Sequence, residues 1–118
     1  MLKECIGMYP VYLVPGYTDL RKGIDGLATI LKLQHGMDPF NQALYLFCGR
    51  GTKKLRGLIW EEDGFVLLNK RLESGTYQWP RTEDEVLELT DQQIRWLLEG
   101  LKIRQPKAIQ SVKSVPLY

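Results

Sequence analysis

The sequence contains little of what metal or disulfide chemistry needs. It has one histidine, His35, and two cysteines, Cys5 and Cys48, which stand far apart and form no C-x-x-C pair. A zinc site needs several such ligands at close spacing, and a disulfide scaffold needs more cysteines. The sequence therefore predicts no metal and no cofactor, and we interpret His35 as an ordinary residue at a helix end or in a loop.

Long apolar runs are also missing. No run approaches the roughly 18 residues of a membrane-spanning helix, and the N-terminal MLKECIGMYP lacks the apolar core of a signal peptide. We therefore expect a cytoplasmic protein with no membrane partner, since two distant cysteines suit a reducing compartment better than a disulfide scaffold. The 118 residues suffice for one modest core. The expected organisation is a single domain over residues 1–105 and a basic, poorly ordered tail over 106–118.

A large net charge of either sign is absent too. The 16 basic and 14 acidic residues leave a net charge of +2, so total charge alone does not predict nucleic-acid binding. The charges are nevertheless segregated along the chain. Residues 48–57 (CGRGTKKLRG) contain four cations and no acid, whereas residues 83–91 (EDEVLELTD) contain only acidic charges. A polarised molecule is the expected consequence.

Short apolar runs, separated by turn signals, predict a sheet, and with the helices described below they place the chain in the α+β class. The sequence Asp63-Gly64 between two apolar runs is a strong hairpin signature. The spacing of the runs favours a small antiparallel, meandering β-sheet, with the first strand added at an edge or across one end. Strands are predicted over residues 9–14, 43–47, 55–60 and 65–69, and more weakly over 76–79 and 86–89.

The segment after the first strand changes to a helical period. An apolar stripe over residues 20–31 predicts one long helix within residues 18–36, packed on the sheet. Gly23 and Gly26 would lie inside that helix, where each costs about 1 kcal/mol relative to alanine. Packing within the domain explains them best, and the close approach of a partner's backbone is the alternative.

A short C-terminal helix is predicted near the end of the chain. Residues 90–93 (TDQQ) match a capping box, in which the first and last side chains bond to each other's backbone. Apolar residues then recur at helical spacing as far as Leu101. The complete prediction is a meandering sheet covered by one long and one short helix.

No arrangement of residues points to catalysis. Residues 48–57 lack the G-x-x-x-x-G-K-[ST] order of a nucleotide-binding loop. The adjacent acids at residues 61–63 (EED) are expected in a solvated turn, because neighbouring side chains at a strand end point in different directions. We predict no catalytic residue. An unpredicted grouping of these acids with Asp19 and Asp25 around a metal ion is the remaining enzymatic alternative.

The basic stretch is the best candidate for a binding surface. On a hairpin, its cations would align along one sheet edge with two more from the next strand, as contact with nucleic-acid phosphate requires. The predicted nucleic-acid-binding residues are Arg50, Lys53, Lys54, Arg56, Lys70 and Arg71. Aromatic residues are interleaved with them, namely Tyr45, Trp60, Tyr77 and Trp79. These aromatic rings either stack on bases or fill the core while the charges solvate edge strands.

Three strings together resemble a known family. TDLRKGIDGLATIL, GLIWEEDGFVLLNKRLESGTYQWP and LLEGL follow the order and spacing of the accessory TnpB proteins, which the second reading frame of the insertion sequence sixty-six family encodes. The resemblance runs from about Tyr9 to Leu101. The matching residues are Asp19, Arg21, Lys22, Gly23, Asp25, Gly26, Trp60, Asp63, Gly64, Lys70, Arg71, Leu72, Glu73, Trp79 and Pro80.

The resemblance implies an accessory role in DNA transposition, beside a separate transposase that holds the catalytic carboxylates. The implied partners are that transposase, other accessory proteins of the same element, and DNA. Many relatives carry an arginine-rich turn where this chain has RGTKK at residues 50–54, which keeps positive charge but replaces arginine forks with point charges. Direct DNA contact through the basic hairpin and docking onto the transposase without touching DNA both remain open.

Overall fold

The protein is built on one five-stranded sheet. A computed structural model describes residues 2–83, 85–107 and 109. In space the strands follow the order β4-β3-β2-β1-β5. Their bounds are β1 (Val11–Leu13), β2 (Leu44–Cys48), β3 (Lys54–Trp60), β4 (Phe65–Arg71) and β5 (Leu87–Leu89). The tail predicted over 106–118 lies outside the described residues except at positions 106, 107 and 109.

The first α-helix is shorter than predicted. It begins after Gly23, its N-cap, because residues 18–22 form a loop instead of its first turns. Its end agrees with the sequence: His35 is the last helical residue, and Gly36 caps the helix in the left-handed region with a φ of 62°. The helices are α1 (Ile24–His35) and α2 (Asp91–Leu98), preceded by a short 3-10 helix over Lys3–Cys5.

Helix α2 begins with the predicted capping box. The Thr90 hydroxyl accepts a hydrogen bond from the Gln93 N–H at 3.1 Å, and the Gln93 side chain accepts one from the Thr90 N–H at 2.9 Å. Ile94 and Leu97 are buried below it. Leu101, expected on the same apolar face, lies beyond the helix and is 42% exposed. The short C-terminal helix is therefore confirmed, but its apolar face ends earlier than predicted.

The sheet is mixed, so the expectation of an antiparallel meander was wrong in part. The turns between β2, β3 and β4 form antiparallel hairpins as predicted. Strand β1, however, pairs parallel with β2 and antiparallel with β5. Helix α1 lies between β1 and β2 in the chain, and a crossover of that length permits parallel pairing that a short turn forbids. Strand β1 therefore lies inside the sheet, not at its edge.

The weak strand predicted over residues 76–79 is not formed. Its alternation of buried and exposed side chains is real, since Tyr77 and Trp79 are buried and Gln78 is exposed. The backbone, however, bonds to loops and not to a strand: the Tyr77 N–H donates to the Thr52 carbonyl at 2.7 Å. The alternation reflects a segment that lies across one face of the sheet.

Both faces of the sheet are covered by apolar side chains. Helix α1 packs on one face through Leu27 and Leu31, against Tyr45 and Phe47 of β2. Helix α2 and the segment at residues 77–79 cover the other face. Because β2 lies between these two layers, all of its residues are buried, which explains its uninterrupted apolar run.

Neither glycine near the start of α1 marks the approach of another backbone. No atom of the described residues lies within 4 Å of a Cβ built on Gly23, which is the N-cap. A Cβ on Gly26 would lie 2.7 Å from the Cβ of Lys22. Gly26 therefore makes room for the side chain of the loop that precedes the helix.

Candidate nucleic-acid interface

The turn between β2 and β3 holds the basic stretch in a fixed shape. The Gly49 N–H donates to the Lys54 carbonyl at 3.1 Å, and the Thr52 N–H donates to the Gly49 carbonyl at 3.0 Å. Thr52 is nearly buried and has a φ of 56°, an uncommon conformation for a residue other than glycine. Arg50 and Lys53 are exposed on either side of it. The anchored threonine thus keeps its charged neighbours facing solvent.

The loop after β1 lies against this turn. The Thr18 N–H donates to the Cys48 carbonyl at 2.9 Å. A Cβ on Gly49 would lie 3.1 Å from Cδ1 of Leu20, so the glycine lets the loop approach closely. Farther along, the Arg56 guanidinium donates to the Lys22 carbonyl at 3.3 Å. These contacts join two segments about 30 residues apart in the chain.

An open groove of about 790 Å³ lies between the loop and the turn. Five of its lining residues are cations and one is a carboxylate. We call it the basic groove. It is lined by Tyr17, Thr18, Asp19, Leu20, Arg21, Gly49, Arg50, Gly51, Lys53, Lys54 and Arg56. Its charge and openness suit an extended anionic ligand better than a small enclosed one.

The carboxylate in the groove, Asp19, is bound by Arg21. Nε and Nη2 of Arg21 lie 3.0 Å from the two oxygens of Asp19, and the Arg21 backbone N–H donates to Oδ1 at the same distance. The side-chain hydrogen bonds from Arg21, followed by the backbone bond, lower the pKa of Asp19 to about 2. The carboxylate is therefore ionised at neutral pH and occupies the Arg21 fork.

The structure brings together four of the six cations predicted to bind nucleic acid. Arg71 lies opposite Lys54 in the β-ladder, on the same face of the sheet. It is ion-paired with Glu73, however, since its Nη2 lies 2.9 Å from Oε1 of that residue. Lys70 lies opposite Leu55, whose side chain belongs to the core on the other face. The predicted row of six cations is thus not formed. The four that line the groove are Arg50, Lys53, Lys54 and Arg56.

The interleaved aromatic residues belong to the interior, as the core alternative expected. Trp60 is half-buried and packs edge-on against Phe40 and Phe65, with ring centroids 4.9 Å apart in each pair. The other three are at most 5% exposed: Tyr45, Tyr77 and Trp79. These three rings therefore have no exposed face for stacking on bases.

Tyr17 and Arg21 line the groove but were not among the predicted nucleic-acid-binding residues. Tyr17 is the exposed aromatic ring of the groove, and the Arg81 guanidinium lies 5.0 Å from its centroid. Arg21 is one of the residues that match the family. Its position in the string DLRKG gave no sign that it would lie beside a turn near residue 50, because only the tertiary fold joins the two.

The family residues Trp79 and Pro80 support one wall of the groove, the loop after β1. The Trp79 indole N–H donates to the Val14 carbonyl at 2.9 Å, and the Pro80 carbonyl accepts from the Gly16 N–H at 2.8 Å. These two bonds fix the end of β1, from which the loop departs. The bond from Tyr77 to the basic turn, described above, fixes the other wall.

Other family residues lie at the far end of β3. Trp60 ends that strand, and Asp63 and Gly64 lie in its turn to β4. Strand β3 is seven residues long, which places this turn about 20 Å from the basic turn between β2 and β3. The acids at residues 61–63 are therefore separated from Asp19 by the length of the strand, and the grouping weighed as an enzymatic alternative is not formed.

The part of the chain that the structure describes holds no assembled metal-binding or redox centre. Within residues 2–83, 85–107 and 109, no three histidine, cysteine or acidic side chains are grouped so that they could hold a metal ion. Burial raises the pKa of the Cys48 thiol to about 12, which keeps it protonated. Among the helices of the same residues, none is long and apolar enough to cross a membrane.

Comparison with known proteins places these features in a family. The sequence model of a family described as IS66 Orf2 like protein matches residues 9–108. Uncharacterized protein y4hO of Sinorhizobium fredii (strain NBRC 101917 / NGR234) is 32% identical over 98 residues, which cover 82% of this chain and 84% of that protein. Uncharacterized protein y4jC of the same strain is 29% identical over 83 residues, which cover 70% of this chain and 71% of that protein. No solved structure matches the chain significantly.

Proposed function

The chain belongs to the IS66 Orf2-like family of transposition-associated accessory proteins, and from this premise we propose that it contacts DNA phosphate through the basic groove. In this proposal it is a non-catalytic, cytoplasmic partner of the transposase. The observation that carries the proposal is that four cations of the segment at residues 49–56 line one open surface, which the loop at residues 17–21 completes.

The chemistry of the groove supports a phosphate backbone as its ligand. Asp19 occupies the Arg21 fork, which leaves the four hairpin cations to neutralise phosphates. Two of the four are lysines, which act as flexible point charges and do not require one ligand geometry. Such contacts give affinity and position without reading sequence. Any preference for the element's ends would then need further contacts.

Fluorescence anisotropy across a salt series tests this function. The purified protein is titrated against duplex DNA from the element's end and against a scrambled duplex. If about four phosphates are neutralised, log affinity falls against log salt with a slope of about −3.6, or roughly 150-fold between 50 and 200 mM salt. Absence of binding at 50 mM salt would refute the proposal, and equal affinity for both duplexes would limit it to phosphate contact.

Replacing Asp19 with asparagine is expected to tighten DNA binding. The change removes the one carboxylate of the groove and frees the Arg21 fork for phosphate, while the amide oxygen can still accept the Arg21 backbone N–H. One added phosphate contact should steepen the salt slope by about 0.9. The same anisotropy titration measures it. Weaker binding would instead show that Asp19 holds Arg21 in the orientation that DNA needs.

Docking onto a partner protein is the second candidate function. The observation that favours it is the Asp19 carboxylate itself, which shows that the groove geometry accepts a carboxylate in an arginine fork. An acidic segment of the transposase could bind the four hairpin cations in the same way. Co-purification with the transposase after nuclease treatment, lost when those cations are removed, would support this candidate over DNA contact.

A further inference from the structure

Strand β4 has one neighbour and one open edge. It is the outermost strand, next to β3, and no strand formed by the described residues lies beyond it. The Leu72 N–H donates to the Lys53 carbonyl at 2.8 Å, and the Glu61 N–H donates to the Gly64 carbonyl at 2.8 Å. Both bonds belong to the ladder that joins β3 and β4.

These bonds determine which backbone groups face outward. In an antiparallel pair, alternate residues turn their N–H and C=O toward the partner strand. The even-numbered residues from Gly64 to Leu72 therefore bond to β3. The odd-numbered residues of β4 present their backbone N–H and C=O to the open edge: Phe65, Leu67, Asn69 and Arg71.

The open edge has few of the features that normally protect an edge strand. It is seven residues long, has no proline, and begins with the four apolar residues 65–68, each only half-buried. Natural edges are usually shortened, bulged, or guarded by inward charges. Here the charges are confined to Lys70 and Arg71 at one end, so the apolar part of the edge remains available for pairing.

The charges at the two ends of β4 have opposite sign. The turn at residues 61–63 is acidic and exposed at one end. At the other end Lys70 and Arg71 outnumber Glu73, which is paired with Arg71, so that end keeps a net positive charge. A second copy laid parallel would place like charges together. A second copy laid antiparallel would place each acidic turn beside the other copy's basic end.

We propose that the β4 edge binds a second copy of this chain, forming an antiparallel two-fold dimer centred on Leu67 with a continuous ten-stranded sheet. A two-fold axis perpendicular to the sheet keeps the same face of both copies on the same side. Residues that pair across the axis must therefore have their side chains on the same face. This condition holds only if the axis passes beside a residue and not between two residues. Centring on Leu67 pairs its outward backbone groups with those of the second Leu67, and pairs Phe65 with the second Asn69.

This register also accommodates the side chains. Val66 lies opposite Leu68 of the second copy, which covers half-buried apolar surface on both. Asp63 lies opposite the second copy's Arg71, and Lys70 lies opposite the second copy's Gly64, where no side chain obstructs it. The dimer would then carry two basic grooves, one from each copy. The inference does not depend on what those grooves bind.

Sedimentation equilibrium of the full chain at micromolar concentrations tests the dimer. The wild type should sediment as a dimer, and Asn69→Pro should raise its dissociation constant about tenfold or more, because each copy loses an outward N–H donor while the bonds to β3 remain. Asp63→Arg and Arg71→Asp should each weaken the dimer severalfold. The double variant should restore it, since the opposed charges are exchanged.

Glu88→Arg on β5, at the other edge of the sheet, is the matched control and should leave the dissociation constant unchanged. Circular dichroism checks that each variant is folded. If Asn69→Pro does not fold, the charge exchange alone decides the question. A wild type that remains monomeric throughout the concentration series would overturn the proposal. A dimer that responds to Glu88→Arg but not to the Asp63 and Arg71 variants would do so as well.

Discussion

Replacing Arg50, Lys53 and Lys54 together with alanine is expected to remove most of the salt dependence of DNA binding. The three side chains are exposed on the basic turn and line the groove. Their loss leaves Arg56 as the hairpin cation in the groove. The slope of log affinity against log salt should fall from about −3.6 to about −0.9, or from roughly 150-fold to about fourfold between 50 and 200 mM salt.

Replacing these three residues removes positive charge without removing a contact that holds the turn or the loop in place. Arg56 is left in place because it is half-buried and donates to the Lys22 carbonyl, so its removal would also loosen the loop. Thr52, which anchors the turn, is likewise untouched. Surface cations of this kind contribute little to stability, and the variant should therefore unfold at nearly the wild-type denaturant concentration.

A second triple variant with the same net charge is the control. Lys3, Lys32 and Arg95 are exposed and lie outside the groove. Their replacement by alanine lowers the overall charge by the same amount, so any general attraction of a basic protein to DNA falls equally in both variants. An unchanged slope in the groove variant, or an equal loss in the control, would contradict the groove as the binding site.

Among the single substitutions described, Trp79→Ala is expected to lower the free energy of unfolding the most. The side chain is 5% exposed, packs in the core beneath the sheet, and donates its indole N–H to the Val14 carbonyl at 2.9 Å. Truncation of a buried tryptophan costs about 3–5 kcal/mol. For a domain of this size that corresponds to a fall in Tm of very roughly 4 °C for each kcal/mol. Urea unfolding followed by circular dichroism measures the free energy of unfolding.

Two neighbouring variants make the Trp79 prediction specific. Trp79→Phe keeps much of the packing but leaves the buried Val14 carbonyl without its indole donor, so it should cost about 1–3 kcal/mol and remain measurable if the alanine variant is unfolded. Gln78→Ala changes an exposed residue in the same segment and should cost less than about 0.5 kcal/mol. A loss below about 1 kcal/mol for Trp79→Ala would show that the segment is not a structural support.

The Trp79 bond also links stability to the groove. It holds the end of β1, where the loop that forms one groove wall begins. In Trp79→Phe the loop loses one of its supports while every groove cation remains. We therefore expect weaker DNA binding with an unchanged salt slope, whereas the basic-turn variant should also lose most of that slope.

Local features of the chain were predictable because they depend on neighbouring residues. The capping box at Thr90, the left-handed cap at Gly36 and the hairpin turn at Asp63-Gly64 all formed where the sequence placed them. Each depends on backbone and side-chain bonds within a few residues. The predicted start of α1 was wrong because Leu20 continues the apolar stripe, but residues 18–22 bond to strands β2 and β3 instead of forming helix.

The sequence by itself determined the α+β class, both hairpins, the basic character of the turn and the family. Only the tertiary structure decided that β1 lies inside the sheet, that Lys70 faces away from the groove, and that Arg21 and Tyr17 lie within it. The physical reason is the distance along the chain over which each interaction acts. Turn and cap signals act between residues a few positions apart, whereas the groove exists because the parallel pairing of β1 with β2 brings the end of β1 beside the basic turn.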